Sequence, residues 1–413
     1  MNNLDVNPQL VKVRDFSAAL FLLFAITGSS IGSIQIGPIR FVDLYVVAIV
    51  ALSSVISAAL FVFRPKSPVA FRILVSFLLI LLPLFLSQLS NGLAGSYLHV
   101  NSNVLWRSSM EALACISVLC CASILPWNSD GFWGWVRGGI TLALAFYLIT
   151  WVLDSSADKR YSGLANHKNV VGGIAMCCGW ISWLAVIERR KFFVPVFIVS
   201  VVAAYVSGAR SSLMSLLLVP MLSSVLTRVE IKKPVIIAAL IAVLVIPLVY
   251  LSLANVDGID KVEQQFEKVT RNKLYSGREK YWPAAFGAWS ESAVLGVGYK
   301  WLYVYGDGST NHCHNLFIAK LVQVGLVGLS CFYVYLYLLH EWGFRASGGV
   351  GQACVIGVIV HQCFEVNFTA GGMPIGIAIS AVLGAYTSHL RIGDIGDESS
   401  IQCEEDELLP NGP

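Results

Sequence analysis

The sequence predicts an all-α polytopic membrane protein, with about twelve transmembrane helices and one long loop that contains short helices. Two features of the composition predict this class: 56% of the 413 residues are hydrophobic, and only 13% are charged. A soluble chain could not keep so much apolar surface away from water. The apolar residues also occur in runs of the length that a helix needs to cross a bilayer. The formal net charge of +3 is too small to indicate a nucleic-acid partner.

Twelve such runs, here called stretches, follow one another along the chain. They cover residues 16–36, 41–63, 71–89, 104–126, 133–153, 167–187, 192–207, 211–227, 234–253, 315–339, 350–370 and 373–390. The first is interpreted as an uncleaved span, because it is longer than the apolar part of a signal peptide. The seventh and eighth are short and are separated only by Ser207 to Arg210, so merging them would leave eleven spans.

The distribution of basic residues favours twelve spans over eleven. If the N-terminus is cytoplasmic, the inner connections hold most of the basic residues, which is the positive-inside pattern. These inner residues are Lys12, Arg14, Arg64, Lys66, Arg72, Arg137, Arg189, Arg190, Lys191, Arg228, Lys232, Lys233, Arg345 and Arg391. The short outer connections hold Arg40, Arg107, Lys159, Arg160, Lys168 and Arg210. The pattern predicts that both termini are cytoplasmic and that the long loop lies outside.

The predicted organisation is a single integral membrane domain. Residues 1–253 form transmembrane helices 1–9, residues 254–314 form the outer loop, and residues 315–391 form helices 10–12. Residues 392–413 form an acidic cytoplasmic tail. The 10 cysteines indicate neither a disulfide framework nor a metal site, because most lie inside apolar stretches and none has ligand spacing.

Arg210 is the most informative basic residue on the predicted outer side. It lies between two apolar stretches, among small residues, near the outer membrane surface. A charge at membrane depth costs about 2.5–3.5 kcal/mol on insertion scales, so it indicates a functional site by default. The alternative is a side chain that extends to lipid phosphates.

The segment before the sixth stretch is unusually polar. It runs from Tyr161 through His167 and Lys168 to Asn169. If Lys168 lies in the first helical turn, the partial positive charge of the helix N-terminus adds to its own, and the pair favours an anion. The alternative is an ordinary polar cap on a helix.

The outer loop contains two helical signals. Apolar residues recur every three or four positions across residues 259–272, which predicts an amphipathic helix. Ser276 and Glu279 then fit a capping box at the start of a second helix, although Pro283 argues against a long straight one. Arg278 would lie at this helix start, where a guanidinium can hold a phosphate through two hydrogen bonds.

His312 and His314 stand two positions apart, directly before the tenth stretch. In an extended segment they share one side, so a zinc site is conceivable. No further ligand set at metal spacing lies nearby, and Glu365 would have to come from another stretch. A general base or hydrogen-bond donor is the favoured interpretation of these imidazoles.

These residues together predict a chemistry. Two arginines, a lysine and a histidine occur without a carboxylate pair or a nucleotide-binding loop. Such a set suits a substrate with a strong anion such as a pyrophosphate, because cations can neutralise the leaving group while a base activates the acceptor. The predicted reaction needs no metal and no other cofactor.

The motifs resemble those of the O-antigen ligase/polymerase superfamily of bacterial envelope glycan enzymes. The matching blocks are His167-Lys168-Asn169 with Gly172; Ser207-Gly208-Ala209-Arg210; Gly277-Arg278 with Trp282 and Gly296-Val297-Gly298; and His314-Asn315. Nine residues separate the last block from Gly325, which is followed by Gly328, as in the ligase signature.

The resemblance implies a polyprenyl-dependent (GT-C-like) glycosyltransferase fold in the bacterial inner membrane, with a periplasmic active site. The donor would be a glycan on undecaprenyl pyrophosphate, held by Arg210 and Arg278. His314 would activate the acceptor hydroxyl, without metal and with inversion at the anomeric carbon. The resemblance assigns further substrate contacts to Lys168, His312, Asn315, Asn169 and Tyr161.

The acceptor distinguishes the branches of this superfamily. It is lipid A-core in ligases, a second lipid-linked repeat in polymerases, and a protein hydroxyl in a third branch. The spacing after His314 favours the ligase, and the modest loop argues against the third branch. A transporter of lipid-linked glycan is the alternative from another class. Its support is a group of polar residues placed in mid-span, namely Glu111, His361, Glu365 and Asn367, whereas the absence of an inverted repeat weighs against it.

Overall fold

The computed structural model has an all-helical architecture in the parts of the chain that it describes. These are residues 8–28, 35–36, 39–63, 68–93, 102–153, 168–227, 278–298, 313–366 and 375–388. Within these ranges the strands are β1 (Gln35–Ile36) and β2 (Ile39–Arg40), which pair antiparallel and form a minimal hairpin. The predicted all-α class is confirmed for these residues.

The helices recover the predicted stretches. They are α1 (Pro8–Thr27), α2 (Phe41–Phe63), α3 (Pro68–Ser76), α4 (Leu82–Leu93), α5 (Ser102–Ala122), α6 (Asp130–Leu153), α7 (Lys168–Ile187), α8 (Val194–Ser207), α9 (Arg210–Leu226), α10 (Arg278–Glu291), α11 (Leu316–Ser347), α12 (Gly349–Gln362) and α13 (Ile375–Ser388). A π-helical segment, Phe77–Leu81, joins α3 to α4, and a 3₁₀ turn, Lys191–Phe193, precedes α8. The ninth stretch, residues 234–253, lies outside the described residues, as do the predicted amphipathic helix at 259–272 and the acidic tail at 392–413.

Several described helices are long and apolar enough to cross a membrane. By length and composition these are Phe71–Ser90, Asp130–Leu153, Asn169–Ile187 and Leu316–Ser347. Shorter apolar helices of 10–17 residues cover Leu44–Ile56, Ala112–Ala122, Lys191–Ser207, Arg210–Leu226, Gly349–Gln362 and Ile375–Thr387. The chain is therefore an α-helical membrane protein, and the number of twelve crossings remains a prediction.

Burial separates a central helix from a peripheral one. Every described side chain of α13 is buried, and the Tyr386 hydroxyl donates a 2.6 Å hydrogen bond to the Trp180 carbonyl of α7. In contrast, α6 exposes large apolar side chains, with Leu142 73% and Val152 72% accessible. An exposed apolar face of this kind suits contact with lipid, whereas α13 lies within the bundle.

The seventh and eighth stretches form two separate helices, as predicted. Both pack along α7, in opposite directions. A Cβ added to Gly172, near the start of α7, would lie 2.3 Å from the Cβ of Ala209 in the α8–α9 turn. Further along α7, a Cβ on Gly179 would lie 2.4 Å from Leu216 of α9 and 3.2 Å from Ser200 of α8. The α8–α9 turn therefore lies beside the start of α7, with both helices leading away from it.

A glycine kink in α11 receives the turn that follows α10. Gly325 has a backbone conformation of φ 63° and ψ −166°, which interrupts the helix. The Gly298 N–H donates a 3.1 Å hydrogen bond to the Gln323 carbonyl. A Cβ on Gly296 would lie 2.5 Å from the Gln323 carbonyl carbon and from the Gly325 nitrogen. This close approach of the two backbones requires glycine at Gly296 in the turn and at Gly325 in the kink.

Basic residues predicted for the inner side gather at one end of the bundle. Arg190, beyond the C-terminal end of α7, forms an ion pair with Asp130 and lies 5.4 Å from the Trp133 ring centroid. Arg137 of α6 lies 5.5 Å from the ring centroid of Phe192. Because a 20-residue helix is roughly 30 Å long, this end lies about a bilayer thickness from the start of α7.

A further contact extends this basic end to α1. The guanidinium of Arg14 donates a 2.8 Å hydrogen bond to Asp15, whose other carboxylate oxygen accepts a hydrogen bond from the Ser129 hydroxyl. Because Ser129 immediately precedes α6, these bonds place the start of α1 beside the start of α6. The clustering agrees with the predicted separation of charge between the two ends.

Two observations at helix ends bear on the predictions. The sequence predicts a helix start at Arg278 and argues against a long straight helix at Pro283; α10 has 14 residues and continues through Pro283 to Glu291. A proline removes only one hydrogen bond, and a short helix packed on α11 tolerates that loss. The expectation that Glu365 lies within the helix at 350–370 needs correction, because α12 ends at Gln362 and Glu365 lies beyond it.

The cysteines behave as packing residues, as predicted. Nine of them are described, all are free thiols, and all except Cys331 and Cys363 are buried. The Cys313 thiol donates a 3.2 Å hydrogen bond to the carbonyl of Asn315, so even the cysteine of the outer loop has a local structural role.

Candidate functional site

Four segments of the chain meet at the end of the bundle opposite the basic cluster. They are the start of α7, the start of α9, the residues just before α11, and the residues just after α12. Three of the four correspond to blocks singled out in the sequence. We call this group of segments the candidate site.

Glu365 lies at the centre of the candidate site. Its Oε1 accepts a 2.8 Å hydrogen bond from the side-chain amide of Asn169 and a 3.4 Å hydrogen bond from the Ser211 hydroxyl. Its Oε2 lies 3.9 Å from Nδ1 of His314. The Glu365 side chain is 13% exposed and that of His314 is 35% exposed. One carboxylate thus connects three elements that are distant in sequence.

His314 has a strained backbone, with φ at 48°. Positive φ is uncommon for a residue other than glycine, and such strain costs about 1–3 kcal/mol. The flanking residues hold it in place. The Trp282 indole N–H of α10 donates a 2.7 Å hydrogen bond to the carbonyl of Cys313, on one side of His314. On the other side, Asn315 caps α11.

The Asn315 side chain uses both of its polar atoms within the protein. Its Oδ1 accepts hydrogen bonds from the backbone N–H groups of Phe317 at 2.9 Å and Ile318 at 3.1 Å, which is the usual geometry of a helix cap. Its Nδ2 donates a 3.1 Å hydrogen bond to the Cys363 carbonyl. The histidine–asparagine pair therefore combines a partly exposed imidazole with a buried cap, and the predicted substrate contact of Asn315 remains a prediction.

Arg210 is the first residue of α9 and is exposed. Among the described residues it makes no hydrogen bond or ion pair. Gly208, with φ at 69°, allows the tight turn from α8, and the Ser207 hydroxyl accepts a 3.3 Å hydrogen bond from the backbone N–H of Ala209. Arg210 is thus a guanidinium on an ordered turn, next to Ser211, which contacts Glu365.

A buried polar contact lies one helical turn below Glu365. His361 of α12 is 1% exposed, and its Nε2 lies 3.3 Å from the Ser212 hydroxyl of α9. Its Nδ1 lies 3.0 Å from the Gln362 side-chain amide nitrogen. This network joins α9 to α12 directly beneath the candidate site, and it stabilises the position of the turn that carries Arg210.

The remaining predicted residues fall on or beyond the limits of the described chain. Lys168 is the first residue of α7, which places it in the first turn as expected, and Arg278 is the first residue of α10. The side chains of both lie outside the described residues, as do Tyr161 and His312 in full. The predicted roles of these four residues stay predictions.

The contacts of Glu365 with Asn169 and Ser211 were not predicted from the sequence. There Glu365 is one of the mid-span polar residues and a conceivable zinc ligand from another stretch for His312 and His314. The useful signal was an ionisable residue near the predicted end of an apolar stretch, because such residues rarely occur there without a partner.

A zinc site at His312 and His314 involves a residue outside the described chain. Among the described residues, no group of three or more histidine, cysteine or acidic side chains could hold a metal ion.

The fold and the candidate site define a class: an α-helical membrane protein with an arginine, a histidine and a carboxylate at one end of its helical bundle. A comparison with family models then finds a match over part of the chain. The O-antigen ligase model matches residues 195–333, from α8 into α11, including Arg210, α10 and His314. The predicted resemblance to the O-antigen ligase superfamily is therefore confirmed over this part of the chain. A search among curated proteins finds no match to the chain.

The family indicates a function of the ligase or polymerase type, in which a glycan is transferred as by a glycosyltransferase. Asn169 and Glu365 lie outside the matched range, one before it and one after it. The folded chain brings both to the part of the site that lies within the range.

Proposed function

We propose that the protein is an O-antigen ligase. It would transfer a glycan from undecaprenyl pyrophosphate to a hydroxyl of lipid A-core, at the periplasmic face of the bacterial inner membrane. The observation that carries this proposal is a shared contact: Ser211, which follows the exposed Arg210, and the strained, partly exposed His314 both lie within the matched range and both contact the carboxylate of Glu365.

The cationic part of the site suits the pyrophosphate of the donor. Arg210 is exposed and has no partner among the described residues, so its guanidinium is available for a bidentate contact with phosphate oxygens. The N-termini of α7 and α9 also lie side by side, and each adds a partial positive charge. Arg278 and Lys168 would add further charge from the starts of α10 and α7.

The imidazole of His314 suits activation of the acceptor. In the proposed step the acceptor hydroxyl oxygen attacks the anomeric carbon, and its proton passes to His314. The bond between that carbon and the pyrophosphate oxygen breaks, and the leaving pyrophosphate takes the electron pair. Arg210 and Arg278 would stabilise the charge that develops on the leaving group. Attack from the side opposite the leaving group inverts the anomeric centre, and no metal enters the step.

The two ends of the bundle support the proposed orientation. Arg14, Arg137 and Arg190 gather at the end opposite the site. The positive-inside pattern assigns such an end to the cytoplasm. The candidate site would then face the periplasm, where a lipid-linked glycan and lipid A-core can meet.

A polymerase that uses a second lipid-linked repeat as acceptor is the alternative within the superfamily. The spacing of nine residues between Asn315 and Gly325 favours the ligase. A transporter of lipid-linked glycan loses support, because His361 and Glu365 lie near the end of α12 rather than in mid-span. His361 is engaged by Ser212 and Gln362, so it belongs to a structural contact.

The proposal is tested by glycan transfer with purified protein in liposomes. The liposomes contain an undecaprenyl-pyrophosphate glycan and lipid A-core, and Arg210→Ala, Arg278→Ala and His314→Ala are compared with the unmodified protein. We expect a lipid A-core–glycan product whose rate of formation falls about 10²–10⁴-fold in His314→Ala and about 10²–10³-fold in each arginine variant. Arg137→Ala, which removes an exposed arginine at the opposite end, serves as the matched control.

Each outcome of this test has a distinct meaning. A ladder of longer lipid-linked glycans, with lipid A-core unchanged, would identify a polymerase instead. Full activity in His314→Ala would contradict its role as the base. If the unmodified protein moved the donor across the bilayer without forming any product, the transporter alternative would replace the ligase.

A further inference from the structure

We infer that Glu365 is a positioning residue for the transfer reaction, in which one carboxylate orients His314 through Oε2 and holds the starts of α7 and α9 through Oε1. The inference rests on the proposed function and extends it to a residue outside the matched family range. Glu365 would act on the reaction through His314 and through the turn that carries Arg210, without touching either substrate.

The first argument is that the two carboxylate oxygens of Glu365 have different partners. Oε1 is occupied by the amide of Asn169 and the hydroxyl of Ser211, which are both neutral donors. Oε2 lies 3.9 Å from Nδ1 of His314, which is an ionisable partner. Neutral donors fix the carboxylate in place, and its second oxygen remains directed to His314.

Burial is the second argument. With 13% of its side chain exposed, Glu365 has lost most of its contact with water. A buried carboxylate is costly unless hydrogen bonds and an opposite charge compensate for the loss. The donors Asn169 and Ser211 supply hydrogen bonds to Oε1, and the imidazole of His314 lies beside Oε2. The buried carboxylate is therefore held in a fixed position beside His314.

The backbone around the pair is the third argument. Asn315, next to His314, donates a 3.1 Å hydrogen bond to the carbonyl of Cys363, two residues before Glu365. The Cys363 and Phe364 N–H groups in turn donate to the last carbonyls of α12. The segments that carry His314 and Glu365 are thus tied together independently of the two side chains, so the geometry is set before a substrate arrives.

The arrangement also selects one nitrogen of His314 for the reaction. A carboxylate beside Nδ1 favours the tautomer with a proton on that nitrogen, which leaves Nε2 to accept the proton of the acceptor hydroxyl. The distance of 3.9 Å is longer than a hydrogen bond. Contacts of this type commonly shorten when a substrate binds.

The test compares Glu365→Gln with the unmodified protein in the liposome assay. Glutamine keeps the shape and an oxygen that can accept from Asn169 and Ser211, and it removes the negative charge. We expect kcat to fall about 10–100-fold, the usual effect of losing a residue that supports a reacting group, while KM for the donor stays within about twofold. Glu188→Gln, the same change near the opposite end of α7, is the matched control and should retain full activity.

Two further variants separate positioning from folding. Glu365→Asp keeps the charge one methylene further back, so its kcat should lie between those of the unmodified protein and Glu365→Gln. The double variant His314→Ala/Glu365→Gln should be no slower than His314→Ala alone, because glutamine keeps the contacts of Oε1 with Asn169 and Ser211 and the lost charge acts only through His314. The midpoint of thermal unfolding in detergent should be unchanged in Glu365→Asp, which carries the test if Glu365→Gln does not fold.

The outcomes distinguish this inference from the proposed function. If the unmodified protein transfers glycan and Glu365→Gln keeps its kcat, the inference is overturned and the ligase stands. A Glu365→Asp variant as slow as Glu365→Gln, or a double variant much slower than His314→Ala, would also overturn it. Failure of the unmodified protein to transfer glycan to any acceptor would overturn both.

Discussion

At the scale of single residues, His314, the proposed base, shows how surrounding contacts can hold a residue away from its preferred backbone conformation. The Trp282–Cys313 hydrogen bond lies on one side of it and the Asn315 cap on the other, so both neighbours are fixed. The left-handed φ of His314 is then imposed by its surroundings. Strain of this kind concentrates at functional sites, where it keeps a group in the geometry that the reaction needs.

The contact between Ser212 and His361 leads to a prediction for stability. Replacing Ser212 with alanine removes the 3.3 Å partner of a buried imidazole nitrogen. A buried polar atom left unpaired costs about 1–3 kcal/mol, so Ser212→Ala should lower the midpoint of thermal unfolding in detergent. Ser290→Ala is the control, because Ser290 is exposed and bonds only to a carbonyl of its own helix. Equal midpoints for the two variants would show that the buried contact contributes nothing.

At the scale of elements, the kink in α11 and the turn after α10 form one structural unit. The kink frees backbone groups that a continuous helix would use internally, and the turn bonds to them. The Leu326 N–H donates to the Ala293 carbonyl at 3.0 Å, and the Val297 N–H donates to the Val322 carbonyl at 2.8 Å. This pairing fixes the end of α10, the helix whose first residue is Arg278, against the helix that follows His314.

Gly296 provides a test of this unit. Its φ of 75° is unfavourable for a side chain, and a Cβ there would lie 2.5 Å from backbone atoms of Gln323 and Gly325. The clash would be with backbone atoms, which cannot move aside as the end of a flexible side chain can. We therefore expect Gly296→Ala to lower stability by about 1–3 kcal/mol or more, measured by thermal unfolding in detergent.

The matched control for Gly296 is Gly287 in the adjoining helix α10. A Cβ on Gly287 would meet no atom within 4 Å, and Gly287 lies within a helix. Gly287→Ala should therefore leave stability unchanged or raise it by up to about 1 kcal/mol. A Gly296→Ala protein as stable as this control would show that the backbone contact is looser than described.

At the scale of the whole molecule, the bundle separates its charges between two ends. Ion pairs and ring contacts of arginine residues lie at one end, and the candidate site lies at the other. The central helix α13 is buried along its described length, and α6 presents apolar side chains outward. A helical bundle of this kind suits a reaction at one membrane face better than the transport of a substrate through the middle of the membrane.

The orientation can be measured by labelling introduced cysteines in intact cells with a maleimide that does not cross the inner membrane. Ala284→Cys replaces an exposed residue of α10, two positions after Trp282, whose indole bonds to Cys313 at the candidate site. Phe192→Cys replaces a side chain 76% exposed at the opposite end. We expect Ala284→Cys to react in cells with a permeable outer membrane, and Phe192→Cys to react only after lysis. The unmodified protein reports background labelling, and the reverse pattern would place the candidate site in the cytoplasm.

Most helix ends could be predicted because they depend on local composition. The second stretch, 41–63, coincides with α2, and the small residues between the seventh and eighth stretches correctly predicted a turn. The prediction for Glu365 failed, because an apolar run that continues past Gln362 gives no sign that the helix stops there. The hydrogen bond that the Asn315 side chain donates to the Cys363 carbonyl spans 48 positions, and local composition carries no information about it.

The sequence by itself determined the membrane class, the order of the motif blocks and the choice of the groups proposed to react. A lipid environment requires a continuous apolar run for every spanning helix, and such a run is a local property that can be read along the chain. Only the tertiary structure decided that Glu365 joins Asn169, 196 positions away, to His314. That meeting depends on how α7, α9, α11 and α12 pack, because a hydrogen bond between distant residues exists only after their helices have been brought together.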